Sequence, residues 1–227
     1  MTVLLISGTS TDVGKTVVTA AIAATARAAG RSVAVCKPAQ TGVSVTGPGD
    51  LAEVERLTGI DRLFEFARYP DPLAPNVAAR RARLPELVLS DVVASIGRID
   101  DEVVLVEGAG GLLVRFGAFT LLDVARSLGA PVVVVCNAGL GTLNHTELTT
   151  SALAAGGVRC AGLVIGSWPS TPDLAARTNL SELPVVTGCR LLGRVPEGAG
   201  SLAREMFVAA APSWFGRDVA ERLFAIG

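Results

Sequence analysis

Hydrophobic positions in this chain form short unbroken runs, separated by longer stretches with helical spacing. The runs cover residues 2–7 (TVLLIS), 32–37 (SVAVCK), 102–108 (EVVLVEG), 131–137 (PVVVVCN) and 161–166 (AGLVIG), followed by 184–187 (PVVT) and 190–195 (RLLGRV). They are β-branched and continuous rather than alternating, which predicts strands covered by helices on both faces. Between them the pattern predicts helices over 15–29, 50–57, 85–97, 121–128 and 145–156, and one near 213–225. Thr120 with Asp123, and Asn144 with Glu147, carry N-cap and third-position pairings, the latter a capping-box arrangement. The alternation predicts a single α/β domain over residues 1–227, with a doubly wound, mainly parallel sheet. Residues 42–49 and 69–76 read as turn-rich loops within it.

Composition narrows the function. Half the residues are hydrophobic and the net charge is −1, so no electrostatic footprint for nucleic acid or an anionic membrane is present. The densest basic cluster, residues 80–83, reads as a solvated face. Cys36, Cys136, Cys160 and Cys189 lack CxxC spacing and read as buried thiols. The N-terminal run has no basic region ahead of it, and no apolar run reaches the length of a membrane span, so a soluble cytoplasmic protein is expected.

Ligands of open α/β sheets bind beyond the carboxyl ends of the strands. Residues 8–16 (GTSTDVGKT) follow the first run and open the first helix, the context of a phosphate-binding loop. The motif's usual first glycine is displaced by one residue, to Gly8, but Gly14-Lys15-Thr16 closes it normally. Backbone N–H groups of Asp12, Val13, Gly14, Lys15, Thr16 and Val17 can cradle phosphate oxygens. Lys15 suits the β/γ-phosphates, and the Thr16 hydroxyl suits Mg²⁺. Glu107 ends another run, as a second Mg²⁺ anchor would, and Gly108, Ala109 and Gly110 after it allow close backbone approach. Asp50 ends TGPGD and by itself reads as a helix N-cap. Of 20 Lys and Arg residues only Lys15 and Lys37 are lysine, and Lys37 stands at a strand end in CKPAQTG.

GTSTDVGKT, CKPAQTG, VEGAGGLLV and GLGTLNHTEL, in this order and spacing, resemble the dethiobiotin synthetases over nearly the whole chain. The resemblance implies a ligase that closes a ureido ring on 7,8-diaminopelargonic acid with CO₂, a nucleoside triphosphate and Mg²⁺. It implies catalytic roles for Lys37 and Lys15, with Thr11 near the reacting amines and Thr41 on the substrate. Lys37 would face Lys15 and stabilise carbamate and phosphoryl group. Thr16, Asp50 and Glu107 would hold Mg²⁺. It also implies a homodimer, in which Gly141, Thr142, Leu143 and Asn144 reach across to the substrate carboxylate. His145, the only histidine, reads as structural. Gly166 stands where the family often has an adenine-reading Asn, so the nucleotide is ATP or another base such as CTP. Ser167 and the backbone at Pro196, Glu197 and Gly198 would complete the base pocket. Residues 74–76 (APN) replace a more usual Ser-Pro-His. Two alternatives fit less well. An amidotransferase synthetase needs a Cys/His glutaminase domain. A ParA- or MinD-like switch needs a further lysine early in the phosphate loop, and residues 8–13 contain none.

Overall fold

The computed structural model describes residues 1–224. Its strands are β1 (Thr2–Gly8), β2 (Val33–Thr41), β3 (Leu63–Tyr69), β4 (Val103–Gly111), β5 (Val132–Cys136), β6 (Cys160–Trp168) and β7 (Leu191–Pro196). Its helices are α1 (Lys15–Ala28), α2 (Asp50–Thr58), α3 (Pro75–Ala82), α4 (Leu89–Gly97), α5 (Leu121–Leu128), α6 (Thr142–Ala155), α7 (Leu174–Thr187), α8 (Arg204–Ala210) and α9 (Val219–Phe224). The seven strands form one sheet in the order β3-β2-β4-β1-β5-β6-β7. Every pairing is parallel.

Two hydrophobic layers sandwich this sheet, and successive strand residues feed them alternately. Leu4, Ile6, Val33, Val35, Val103 and Leu105 enter one layer, against α1, α2 and α8. Leu5, Ala34, Cys36, Val104 and Val106 enter the other, against α3 to α7. The unbroken apolar runs thus keep the strand period of two, with both phases buried.

Several elements depart from the expected pattern. β3 interleaves Glu65 and Arg68, an ion pair at 2.7 Å, with aromatic residues, as a half-exposed edge strand does. The expected strand at 184–187 is instead the last turn of α7, with Pro184 inside the helix and Val185 facing solvent. The buried positions of α7 are Ala176, Asn179 and Leu183, and the polar Asn hides the stripe. α4 starts at Leu89 rather than residue 85, and Pro75 opens α3 within the expected loop 69–76. α8 was not expected. The C-terminal pattern near 213–225 resolves into a 3₁₀ turn over Ala211–Trp214 and α9; residue 225 lies outside the described residues. Thr120 and Asp123 do form the cap of α5, the Thr120 N–H donating to Asp123 Oδ2 at 2.8 Å. Asn144 is not a cap, because α6 begins earlier, at Thr142 after Gly141.

Candidate active site

The phosphate loop joins β1 to α1. Asp12 takes a left-handed backbone (φ 56°), and Gly14 caps α1 at φ 88°. No side chain caps α1, so its first N–H groups face the loop's concavity, the arrangement that binds anions. Lys15 Nζ donates to the Ser10 carbonyl at 2.8 Å and folds back over the loop. The loop also leans on β6: a Cβ on Gly14 would lie 2.6 Å from the Gly166 carbonyl, and one on Gly166 would run into the Val13 carbonyl.

Strand order brings the charged residues together. β4 lies between β1 and β2, with Ile6 level with Glu107 and Cys36 level with Val106. Lys37, one residue beyond Cys36, therefore ends beside Glu107. Its Nζ lies 2.8 Å from Glu107 Oε1, 2.5 Å from Asp50 Oδ2 and 3.0 Å from the Gly108 carbonyl. The Thr16 hydroxyl donates to the same Glu107 Oε1 at 2.9 Å. Lys37 and Glu107 side chains are only 4% and 1% exposed, so each charge depends on the other. Burial alone would lower the Lys37 pKa, but the Glu107 and Asp50 carboxylates outweigh it and hold the ammonium above its ordinary value. Lys15 is pushed the other way, by burial and then by the Lys37 charge, with Glu107, Asp50 and Asp12 offsetting part of this. Asp50 is the first residue of α2 and Gly49 its N-cap, so the cap reading of Asp50 gives way to the ion pair.

Glu107 Oε2 is buried without a hydrogen-bond partner among the described residues, an acceptor that a bound cation would satisfy. An all-oxygen set with two carboxylates suits Mg²⁺, which keeps waters and phosphate oxygens for its other positions. Among the described residues no group of three or more His, Cys, Asp or Glu side chains is placed to hold a metal ion.

A cavity of about 720 Å³ opens over these groups. The phosphate loop lines it with Thr11, Asp12 and Gly14–Val17, β2 with Lys37 and Ala39–Thr41, and β4 with Glu107, Ala109 and Gly110. Asp50 completes the charged wall, and Pro72–Pro75 with Val114 supply an apolar one. Sequence reasoning assigned no role to Gln40, Pro72, Leu73 or Val114; the proline-rich loop was the only signal for two of them. Val13 is buried beneath the loop, and Gly108 contributes its carbonyl to Lys37.

Among family descriptions, that of an AAA domain matches residues 2–202. The ATP-dependent dethiobiotin synthetase BioD of Rhodococcus jostii is 64% identical over 219 residues, covering 95% of each chain. Its namesake in Rhodococcus erythropolis is 58% identical over 223 residues, 96% of this chain and 98% of its own. The chain belongs to the ATP-dependent dethiobiotin synthetase family. Solved structures add the fold of this synthetase. MinD in the Aquifex aeolicus MinC:MinD cell division complex superposes with a TM-score of 0.65 at 14% identity, covering all of this chain and 97% of that one. The Pyrococcus furiosus cell division ATPase MinD gives 0.60 at 20% identity, covering 97% of each. At such identities the likeness is one of fold alone.

Not all expected synthetase residues share one cavity. Gly141 caps α6, Thr142 is buried in its first turn, and Leu143 and Asn144 follow; none of the four lines the cavity around Lys37. Ser167 stands near the end of β6, and Pro196, Glu197 and Gly198 stand at and beyond the end of β7, with the Glu197 N–H donating to the Trp168 carbonyl at 2.8 Å. These too lie outside the cavity lining.

Proposed function

We propose that this synthetase closes the ureido ring of dethiobiotin on 7,8-diaminopelargonic acid, using CO₂ and a nucleoside triphosphate. One amine nitrogen bonds to the carbon of CO₂ and loses a proton, giving a carbamate. The carbamate oxygen attacks the γ-phosphorus, and the bond to the β-phosphate oxygen breaks. The second amine attacks the carbonyl carbon of the resulting anhydride and loses a proton, and inorganic phosphate leaves.

Each step brings anions together, so the residues' main work is electrostatic and positional. The N–H groups of Asp12–Val17 hold the β/γ-phosphates, with Lys15 on their charge. Lys37 stands between carbamate and γ-phosphoryl group, where a compact ammonium with rotatable donors fits better than a guanidinium. Thr11 faces the amines and Thr41 the diamine chain. Thr16, Asp50 and Glu107 would hold Mg²⁺, which when bound neutralises charge on the β- and γ-phosphate oxygens. Gly166 and Ser167, with Pro196–Gly198, form the base pocket. Because Gly166 offers only backbone, the nucleotide is ATP or another base such as CTP. The enzyme works in the cytoplasm as a homodimer, and the segment 141–144 of the partner subunit binds the substrate carboxylate.

The observation that carries this reading is the Lys37 ammonium held by Glu107 and Asp50 in the same cavity as the phosphate loop. The dimer has support in Leu140, 95% exposed just before α6, and in the absence of residues 141–144 from their own subunit's cavity. The test is phosphate release with Mg²⁺, bicarbonate and the diamine, run separately with ATP, CTP, GTP and UTP. Diamine-dependent release with ring-closed product mass is expected. Release that ignores the diamine, without new product, would overturn the assignment.

A further inference from the structure

α2 starts without a cap of its own: Gly49 has no side chain, and no local side chain accepts from the helix's first N–H groups. The first of them is satisfied from another element. Gln40, near the end of β2, accepts the Asp50 N–H on Oε1 at 2.8 Å. Its Nε2 donates to the Thr41 carbonyl at 3.2 Å, so both ends of the amide are engaged. The side chain is buried, with the residue 5% exposed. Gly49 lies flat against it, and a Cβ there would stand 2.7 Å from Oε1. The carboxylate thus fixed at the helix start is the one 2.5 Å from Lys37.

We propose that Gln40 is a positioning residue for Asp50. It caps α2 from the neighbouring strand and so sets where the Asp50 carboxylate meets the divalent cation. The proposal rests on the reading of Asp50 as a metal ligand. A glutamine suits the task because it accepts from Asp50 and donates to Thr41 without adding charge. Methionine has similar shape but no comparable acceptor, whereas glutamate keeps the accepting oxygen.

Mn²⁺ is titrated into the full-length enzyme loaded with ADP, and free Mn²⁺ is read by electron paramagnetic resonance. Gln40→Met is expected to weaken Mn²⁺ binding about tenfold, the usual scale for loss of a ligand's supporting hydrogen bond. Metal-free ADP affinity should stay unchanged, and turnover should recover at high Mg²⁺. Should Gln40→Met not fold, Gln40→Ala carries the same expectation. Asp50→Asn should weaken binding alone and leave Gln40→Met with no added effect. Normal Mn²⁺ binding by Gln40→Met, or an equal loss of metal-free ADP affinity, overturns the proposal while Asp50 keeps its role. Normal Mn²⁺ binding by Asp50→Asn overturns both.

Discussion

Gly166 lies against the Val13 carbonyl, so its missing side chain serves the phosphate loop as well as any base pocket. Replacing it with alanine must push Val13 and Gly14 away from β6. Such overpacking costs about 1–3 kcal/mol, which for a chain of this size lowers the melting temperature by roughly 2–4 °C per kcal/mol. Because the displaced atoms belong to the phosphate cradle, Gly166→Ala should also weaken nucleotide binding. Calorimetric melting and nucleotide titration check both; an unchanged melt with unchanged affinity would refute the close packing. The sequence pattern found the lack of a side chain here but not its cause, since the contact joins residues far apart in the chain. Lys15 drew notice because it closes a phosphate-loop motif, and Lys37 and Glu107 because each is a charge at the end of an apolar run, Lys37 in a chain with only two lysines. Gln40 was not legible, because its partner is a backbone N–H that carries no sequence signature.

At the scale of elements, the buried amide of Asn179 links α7 to the loop after β5. Its Nδ2 donates to the carbonyls of Ala138 at 2.8 Å and Gly139 at 3.1 Å. That loop leads directly into Gly141–Asn144 and α6. Asn179→Ala leaves both carbonyls without this donor, at a cost of about 1–3 kcal/mol. It should raise KM for the diamine while leaving KM for the nucleotide unchanged, because the phosphate loop is untouched. Steady-state kinetics with each substrate varied in turn decide this; equal changes in both constants would point to general destabilisation. The same residue explains why α7 escaped sequence reading. Its buried stripe carries a polar amide where an apolar side chain is expected, and Pro184-Val185-Val186 reads locally as strand. β1, β2, β4 and β5 were legible because apolar runs buried on both faces leave no ambiguity of phase.

At the scale of the whole molecule, the proposed site has its cation in one place and its carboxylate-binding segment in another. Lys37 lines the large cavity and residues 141–144 do not, while Leu140 beside them is 95% exposed. A dimer that brings one subunit's 141–144 to the other's Lys37 would join the two and cover that leucine. One chain's sequence cannot encode this visibly, because the join exists only between copies. Complementation tests it. Lys37→Arg puts a longer, planar cation into a space fitted to Nζ and should inactivate the subunit's own cavity. Asn144→Asp adds a negative charge to the first turn of α6, which the helix dipole favours but a bound carboxylate does not. Each variant alone should be nearly inactive. When the two are co-expressed, half of a random population is mixed, and each mixed dimer has one site with both parts intact. About a quarter of the parent activity should therefore return, as symmetric exchange of subunits requires. If every site were built within one subunit, each site in the mixture would carry one defect and no activity would return.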